Sequence, residues 1–146
     1  EVAWQLRHLP PEGRFEVVIA EDNAATAAIL SSLVTDAAPD AHVQIASDGR
    51  MALDLVRRLV PDLVVVDLHL PGLDGIGVCT ALRSMGAASQ CTVVATSGHA
   101  QRHEIETLRR HGFTRFVKKG YELAVLMPGL VGEARRCSTR SLTPRA

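Results

Sequence analysis

The chain has 146 residues with 16 basic and 16 acidic side chains, so its formal net charge is zero. Its length fits one domain of the common ~100–150-residue size, and 47% apolar against 22% charged residues argues against a disordered tail protein. Zero net charge argues against bulk binding to nucleic acid or a membrane surface, which needs a positive field.

In chain order, residues 1–14 carry Trp4, Leu6, Leu9 and a Pro10-Pro11 pair, and read as a linker or N-terminal extension. Glu16–Ala20 (EVVIA) is a first short apolar run and predicts a strand. Ile29, Leu30, Leu33, Val34 and Ala37 then recur at helical spacing until Pro39. His42–Ala46 (HVQIA) predicts a second strand, and Ala52, Leu53, Val56 and Leu59 a second helix that ends before Pro61. Leu63–Val66 (LVVV) predicts the third strand; Val78, Cys79, Leu82 and Met85 predict the third helix, stopped near Gly86. Thr92–Ala95 (TVVA) is the fourth strand, and Ile105 and Leu108 mark a fourth helix before Gly112. Arg115–Lys118 (RFVK) reads as the fifth strand. A fifth helix is expected between Glu122 and Arg136, its regular part starting at Pro128, because a proline further inside would remove a helical hydrogen bond. From Cys137 to Ala146 the chain is polar, basic and proline-containing, and reads as a flexible tail.

Strands that alternate with helices over short connections imply right-handed crossovers and a parallel sheet. Phe, Trp and Tyr total only five, so the core is expected from Val, Leu, Ile and Ala. That composition suits strands covered by helices on both faces. The expected architecture is α/β, a doubly wound five-stranded parallel sheet in the order 2-1-3-4-5. No apolar run approaches the ~18–20 residues of a membrane span, and no signal peptide is visible. Cys79, Cys91 and Cys137 are odd in number and scattered, which suits packed, reduced thiols and a cytoplasmic setting. The chain begins at Glu1 rather than Met, as expected of a piece of something longer or a trimmed form.

Ligands of such sheets sit at the carboxyl ends of the strands. There the sequence places Glu21, Asp22 and Asn23, then Asp67, then Ser97 with Gly98, then Lys119 beside Lys118. No strand end carries a glycine-rich phosphate loop. Clustered carboxylates repel one another unless a cation sits between them, and hard oxygen ligands suit Mg²⁺. A carboxylate is also a nucleophile toward phosphorus, giving an aspartyl phosphate. Mg²⁺ and a lysine are the groups that stabilise the negative charge of that transition state.

With these residues in hand, the chain resembles the receiver domains of two-component response regulators, of flavodoxin/CheY-like fold, from about Phe15 to Arg136. Asp67-Leu68-His69-Leu70-Pro71-Gly72-Leu73-Asp74-Gly75 matches the family pattern D-x-x-L/M-P-x-x-D-G in full. Glu21 and Asp22 match the family's acidic pair, Ser97 its hydroxyl position, Lys119 its lysine and Phe116 its aromatic position. The resemblance implies that Asp67 is phosphorylated by a histidine kinase or histidine phosphotransfer protein. It implies that Asp22, Asp67 and the backbone carbonyl of His69 hold Mg²⁺, with Glu21 acting through water. It implies that Lys119 pairs with phosphoryl oxygens, while Ser97 and Phe116 move and alter the face formed by the fourth helix, fifth strand and fifth helix. That face would then meet an effector domain or a second copy. Such a module catalyses its own phosphorylation and dephosphorylation, yet is a switch more than an enzyme.

The chain departs from the family at Gly120, where a proline is usual, which leaves the placement of Lys119 open. His69 and His99, two residues after Asp67 and Ser97, sit where the family tunes phosphoryl lifetime; solvated loop histidines are the competing reading. His99 and His103, four apart on one expected helix, read as two surface histidines rather than a metal pair. Asp74 reads as a helix cap, and Leu123, Leu126 and Leu130 as packing. Competing functions are a haloacid-dehalogenase-like phosphatase, which wants an acid where His69 stands, and a degenerate receiver used as a scaffold. Neither an output domain nor the parent protein is legible, and no direct nucleic-acid contact is expected.

Overall fold

The computed structural model describes residues 15–86 and 91–142. Five strands alternate with five helices: β1 (Phe15–Ala20), α1 (Ala24–Ala37), β2 (Ala41–Ala46), α2 (Gly49–Leu59), β3 (Leu63–Asp67), α3 (Gly75–Ser84), β4 (Thr92–Ser97), α4 (Arg102–Arg110), β5 (Phe116–Lys118) and α5 (Tyr121–Leu142). All strand pairings are parallel and the order is β2-β1-β3-β4-β5, as the sequence predicts. The segment 1–14 with Trp4, Leu6 and Leu9, and residues 143–146, lie outside the described residues.

Strand alternation divides the apolar residues between two cores. Val17, Ile19, Leu63 and Val65 face α1 and α5, where Leu30, Val34, Leu123, Met127, Val131 and Ala134 pack. Val18, Ala20, Val64 and Val66 face the other way, toward Ala52, Val56, Val78, Leu82 and Leu108 of α2, α3 and α4. Because β1 and β3 are buried on both sides, they read in the sequence as unbroken apolar runs. Cys79 lies in the second core, and burial pushes its thiol and that of Cys91 up to about 12.

The helices start where polar side chains follow a strand. Asn23, Asp48 and Asp74 each accept a hydrogen bond from the backbone N–H three residues on, capping α1, α2 and α3. The reading of Asp74 as a cap is thereby borne out.

Several sequence expectations are corrected. Ile29, which helical spacing assigns to the apolar stripe of α1, is 55% exposed, since Ala27, Leu30 and Val34 already cover the sheet. Helix α5 does not begin its regular part at Pro128; it runs from Tyr121 with Pro128 inside. Its buried stripe is Leu123, Met127, Val131 and Ala134 rather than Leu123, Leu126 and Leu130, and Leu126 is exposed. That stripe keeps helical spacing straight through the proline. Pro128 and Ala124 lie on the exposed side, where water can serve the carbonyl that the proline leaves without a donor. The helical backbone continues to Leu142, past the expected start of a tail at Cys137. His99 and His103 do not share a helix, because α4 begins at Arg102.

Candidate functional site

The sheet order reverses between β2-β1 and β3-β4-β5, so the carboxyl ends of β1 and β3 flank a crevice. Into it the sequence delivers Glu21 and Asp22 from the end of β1 and Asp67 from the last position of β3. Glu21 and Asp67 are 2% and 4% exposed, whereas Asp22 stands in solvent. Burial raises the pKa of Glu21, against the pull of its Lys119 and Asn23 hydrogen bonds. One carboxylate oxygen of Glu21 accepts from the Asn23 N–H at 3.1 Å.

Lys119 bridges the two buried acids. Its Nζ lies 2.6 Å from Glu21 Oε1 and donates to Asp67 Oδ2 at 2.8 Å. Burial works to lower the Lys119 pKa, but the two carboxylates outweigh it and the net shift is upward. The lysine is anchored one residue past β5, where its backbone N–H donates to the Ser97 carbonyl at 2.9 Å. Gly120 then turns with φ of +106°, a conformation that suits glycine. Its departure from the family's proline therefore leaves Lys119 in reach of both acids. Lys118 is exposed, and its backbone N–H donates to Glu122 Oε1 at 3.3 Å.

The rest of the rim closes around Asp67. Its second oxygen, Oδ1, accepts from the His69 N–H at 3.0 Å. Gly75 opens α3 directly against this backbone: a Cβ there would stand 2.3 Å from the Asp67 carbonyl oxygen, so only glycine lets α3 approach. Ser97, 6% exposed, accepts from the His99 N–H at 3.0 Å and keeps its own hydroxyl hydrogen to donate. Phe116 is half-buried, with the Arg109 guanidinium 5.9 Å from its ring centre. It lines a cavity of about 420 Å³ together with Leu68, Ser97, His99 and Ile105. The His69 imidazole is engaged away from the acid. Its Nε2 meets Glu104 Oε2 on α4 at 3.1 Å.

Ligand oxygens of Glu21, Asp22 and Asp67 all lie within 4.8 Å of one another. Lys119 pairs with only two of these three carboxylates, so the cluster lacks positive charge, and it offers only hard oxygen donors. Both properties fit Mg²⁺.

Glu104 was missed in the sequence. Its signal was there: Gln101 and Glu104 have capping-box spacing, which marks the start of α4. Glu104 Oε1 accepts from the Gln101 N–H at 2.8 Å, and this bond chiefly holds its carboxyl below the usual range.

The family model of the response regulator receiver domain matches residues 17–130. The chain is 35% identical over 108 residues to protein-glutamate methylesterase/protein-glutamine glutaminase 5 of Myxococcus xanthus, covering 74% of this chain and 31% of that protein. It is 26% identical over 106 residues to the signal transduction histidine-protein kinase BarA of Escherichia coli, covering 73% of this chain and 11% of the kinase. The chain thus spans about a third or less of these relatives. The crystal structure of the signal receiver domain of a putative Luxo repressor protein from Vibrio parahaemolyticus superposes with a TM-score of 0.77 at 21% identity, over 91% of this chain and 99% of that one. Sheet order, the acidic crevice and the family match agree: the chain belongs to the response regulator receiver domains of two-component signalling.

Proposed function

We propose that Asp67 is the phospho-acceptor and that the domain, within residues 15–136, works as a cytoplasmic phosphorylation switch. A carboxylate oxygen of Asp67 attacks the phosphorus of a phosphohistidine on a kinase or phosphotransfer protein. The N–P bond breaks and its electron pair returns to the partner's imidazole, which takes up a proton. Asp22, Asp67 and the His69 carbonyl would hold Mg²⁺, with Glu21 acting through water, and the ion would supply charge neutralisation for the phosphoryl oxygens. Lys119 moves its ammonium from the bare carboxylate to the new phosphoryl group, and Ser97 donates its hydroxyl hydrogen there. Phe116 then shifts in its cavity, altering the face of α4, β5 and α5 that would meet an effector or a second copy. His69 and His99 flank the acyl phosphate and set its lifetime; Ala at both positions changes the dephosphorylation rate.

The observation that carries this reading is the single lysine between Glu21 and Asp67, 2.6 and 2.8 Å from their oxygens. A phosphatase of the haloacid-dehalogenase kind would need an acid where His69 stands. A scaffold would have no use for two buried carboxylates held on one lysine. The test is incubation with Mg²⁺ and acetyl phosphate, followed by intact-mass measurement. A labile phosphoryl adduct is expected in the wild type and none in Asp67→Asn. No adduct on the wild type, or one that persists in the variant, overturns the assignment.

A further inference from the structure

Two residues beyond Asp67, the His69 side chain leaves the acidic crevice and reaches helix α4. Its Nε2 meets Glu104 Oε2 at 3.1 Å, across 35 residues of sequence. The other oxygen of that carboxylate, Oε1, accepts from the Gln101 N–H at 2.8 Å and so closes the first turn of α4. Glu104 is mostly buried, its side chain 14% exposed, whereas the imidazole is 51% exposed. The bond is therefore fixed at the helix end and releasable at the histidine end. At its other side, the His69 backbone N–H donates to Asp67 Oδ1 at 3.0 Å. Asp67, His69, Glu104 and Gln101 form one continuous chain of hydrogen bonds from the acceptor carboxylate to the start of α4.

We propose that Glu104 is a positioning residue that parks the His69 imidazole on α4, and that a phosphoryl group on Asp67 competes for this imidazole and releases the first turn of the helix. The release rests on the reading of Asp67 given above; the tether itself does not. The competition is one of acceptors. A phosphoryl group brings three strong acceptor oxygens and a charge of about −1.5 to −2 to a carboxylate already bonded to the His69 backbone. The Glu104 carboxylate has its other oxygen committed to the Gln101 N–H and cannot follow the imidazole toward Asp67. Coupling of this kind is reciprocal: a partner that holds α4 in its tethered form disfavours the phosphorylated state.

The test is amide hydrogen exchange across Glu104, Ile105 and Glu106, the first hydrogen-bonded turn of α4, with and without prior acetyl phosphate and Mg²⁺. In the unphosphorylated protein, His69→Ala is expected to speed exchange there roughly two- to five-fold, the size of one partly exposed bond. Glu104→Ala is expected to do the same or more, since it also removes the cap. Glu104→Gln keeps one oxygen for the Gln101 N–H, while its amide nitrogen can only donate, to a His69 Nε2 that carries no proton, and it is expected to give protection between wild type and Glu104→Ala. Phosphorylation of the wild type is expected to raise exchange to the His69→Ala level, and to add nothing further in His69→Ala. Unphosphorylated His69→Ala with wild-type protection overturns the tether. Wild-type protein that gains the phosphoryl mass yet keeps its α4 protection overturns the release. Wild-type protein that gains no mass overturns the Asp67 reading and the release with it, while the unphosphorylated arm still decides the tether.

Discussion

Lys119 carries more of the site than any other side chain, because its one ammonium answers two buried carboxylates. Truncating it removes the positive group closest to the charge that develops on phosphoryl transfer. Lys119→Ala is therefore expected to slow phosphoryl uptake from acetyl phosphate by about 10²–10³-fold, the usual cost of losing one such donor; quenched-flow mass spectrometry measures it. An unchanged rate would mean that Lys119 serves only the resting charge balance. Asp22 is the counter-example at this scale. It is exposed, and nothing but its place beside Glu21 and Asp67 marks it as a candidate ligand. The family pattern singled it out in the sequence, where its neighbour Asn23, of similar polarity, turns out to be the cap of α1. Glu104 shows the opposite failure. Its role depends on which residue begins α4, and helix boundaries are the least legible feature of a sequence.

At the scale of elements, α5 is where expectation and structure part. A proline eight residues into a helix argues for a boundary, yet four buried side chains on one stripe hold the helix continuous. Tertiary packing overrides a local cost of up to ~3 kcal/mol. Restoring the missing N–H should recover part of that cost. Pro128→Ala is expected to raise unfolding stability by about 1–3 kcal/mol, seen as a higher denaturant midpoint at unchanged slope. Two ion pairs also pin this helix. Arg135 Nη1 donates to Asp40 at 2.6 Å, and Arg115 Nε donates to Glu133 at 2.9 Å. These arginine bonds are the main reason that the pKa values of Asp40 and Glu133 lie below the ordinary carboxylate value. A carboxylate whose folded pKa is depressed adds stability above its unfolded pKa, and that stability is lost as pH falls through the folded one. Acid titration of the folded protein should thus weaken the anchoring of α5 below the usual carboxylate range. Asp40→Asn with Glu133→Gln is expected to flatten this part of the stability–pH curve and leave little difference from wild type at low pH. Denaturant midpoints at a series of pH values check it. The effect is modest, since pairs this exposed contribute on the order of 0–1 kcal/mol each.

For the whole molecule, one sheet separates two cores that share no side chain. Leu30 of α1 and Leu82 of α3 are both 0% exposed and lie on opposite faces. Each Leu→Ala change is expected to cost about 2–5 kcal/mol through lost burial and the cavity left behind. With no shared partners, the two costs should add to within about 0.5 kcal/mol in the double variant. A larger deviation in equilibrium unfolding would show that the sheet transmits strain between its faces.

The amino-acid sequence by itself determined the element order, the parallel sheet and the list of polar residues at its carboxyl edge. Apolar runs and helical spacing are local patterns, and burial of those patterns leaves little choice of topology. It also supplied Asp67, Glu21, Ser97 and Lys119 as a set, because each stands at the carboxyl end of a strand. What only the tertiary structure decided is how those charges are shared: one ammonium between Glu21 and Asp67, an exposed Asp22, and His69 turned away from the acid toward α4. The reason is that hydrogen bonds between residues 35 or 52 positions apart leave no periodic trace in the chain. They depend on where separate strands end relative to one another, and packing of the two cores sets that.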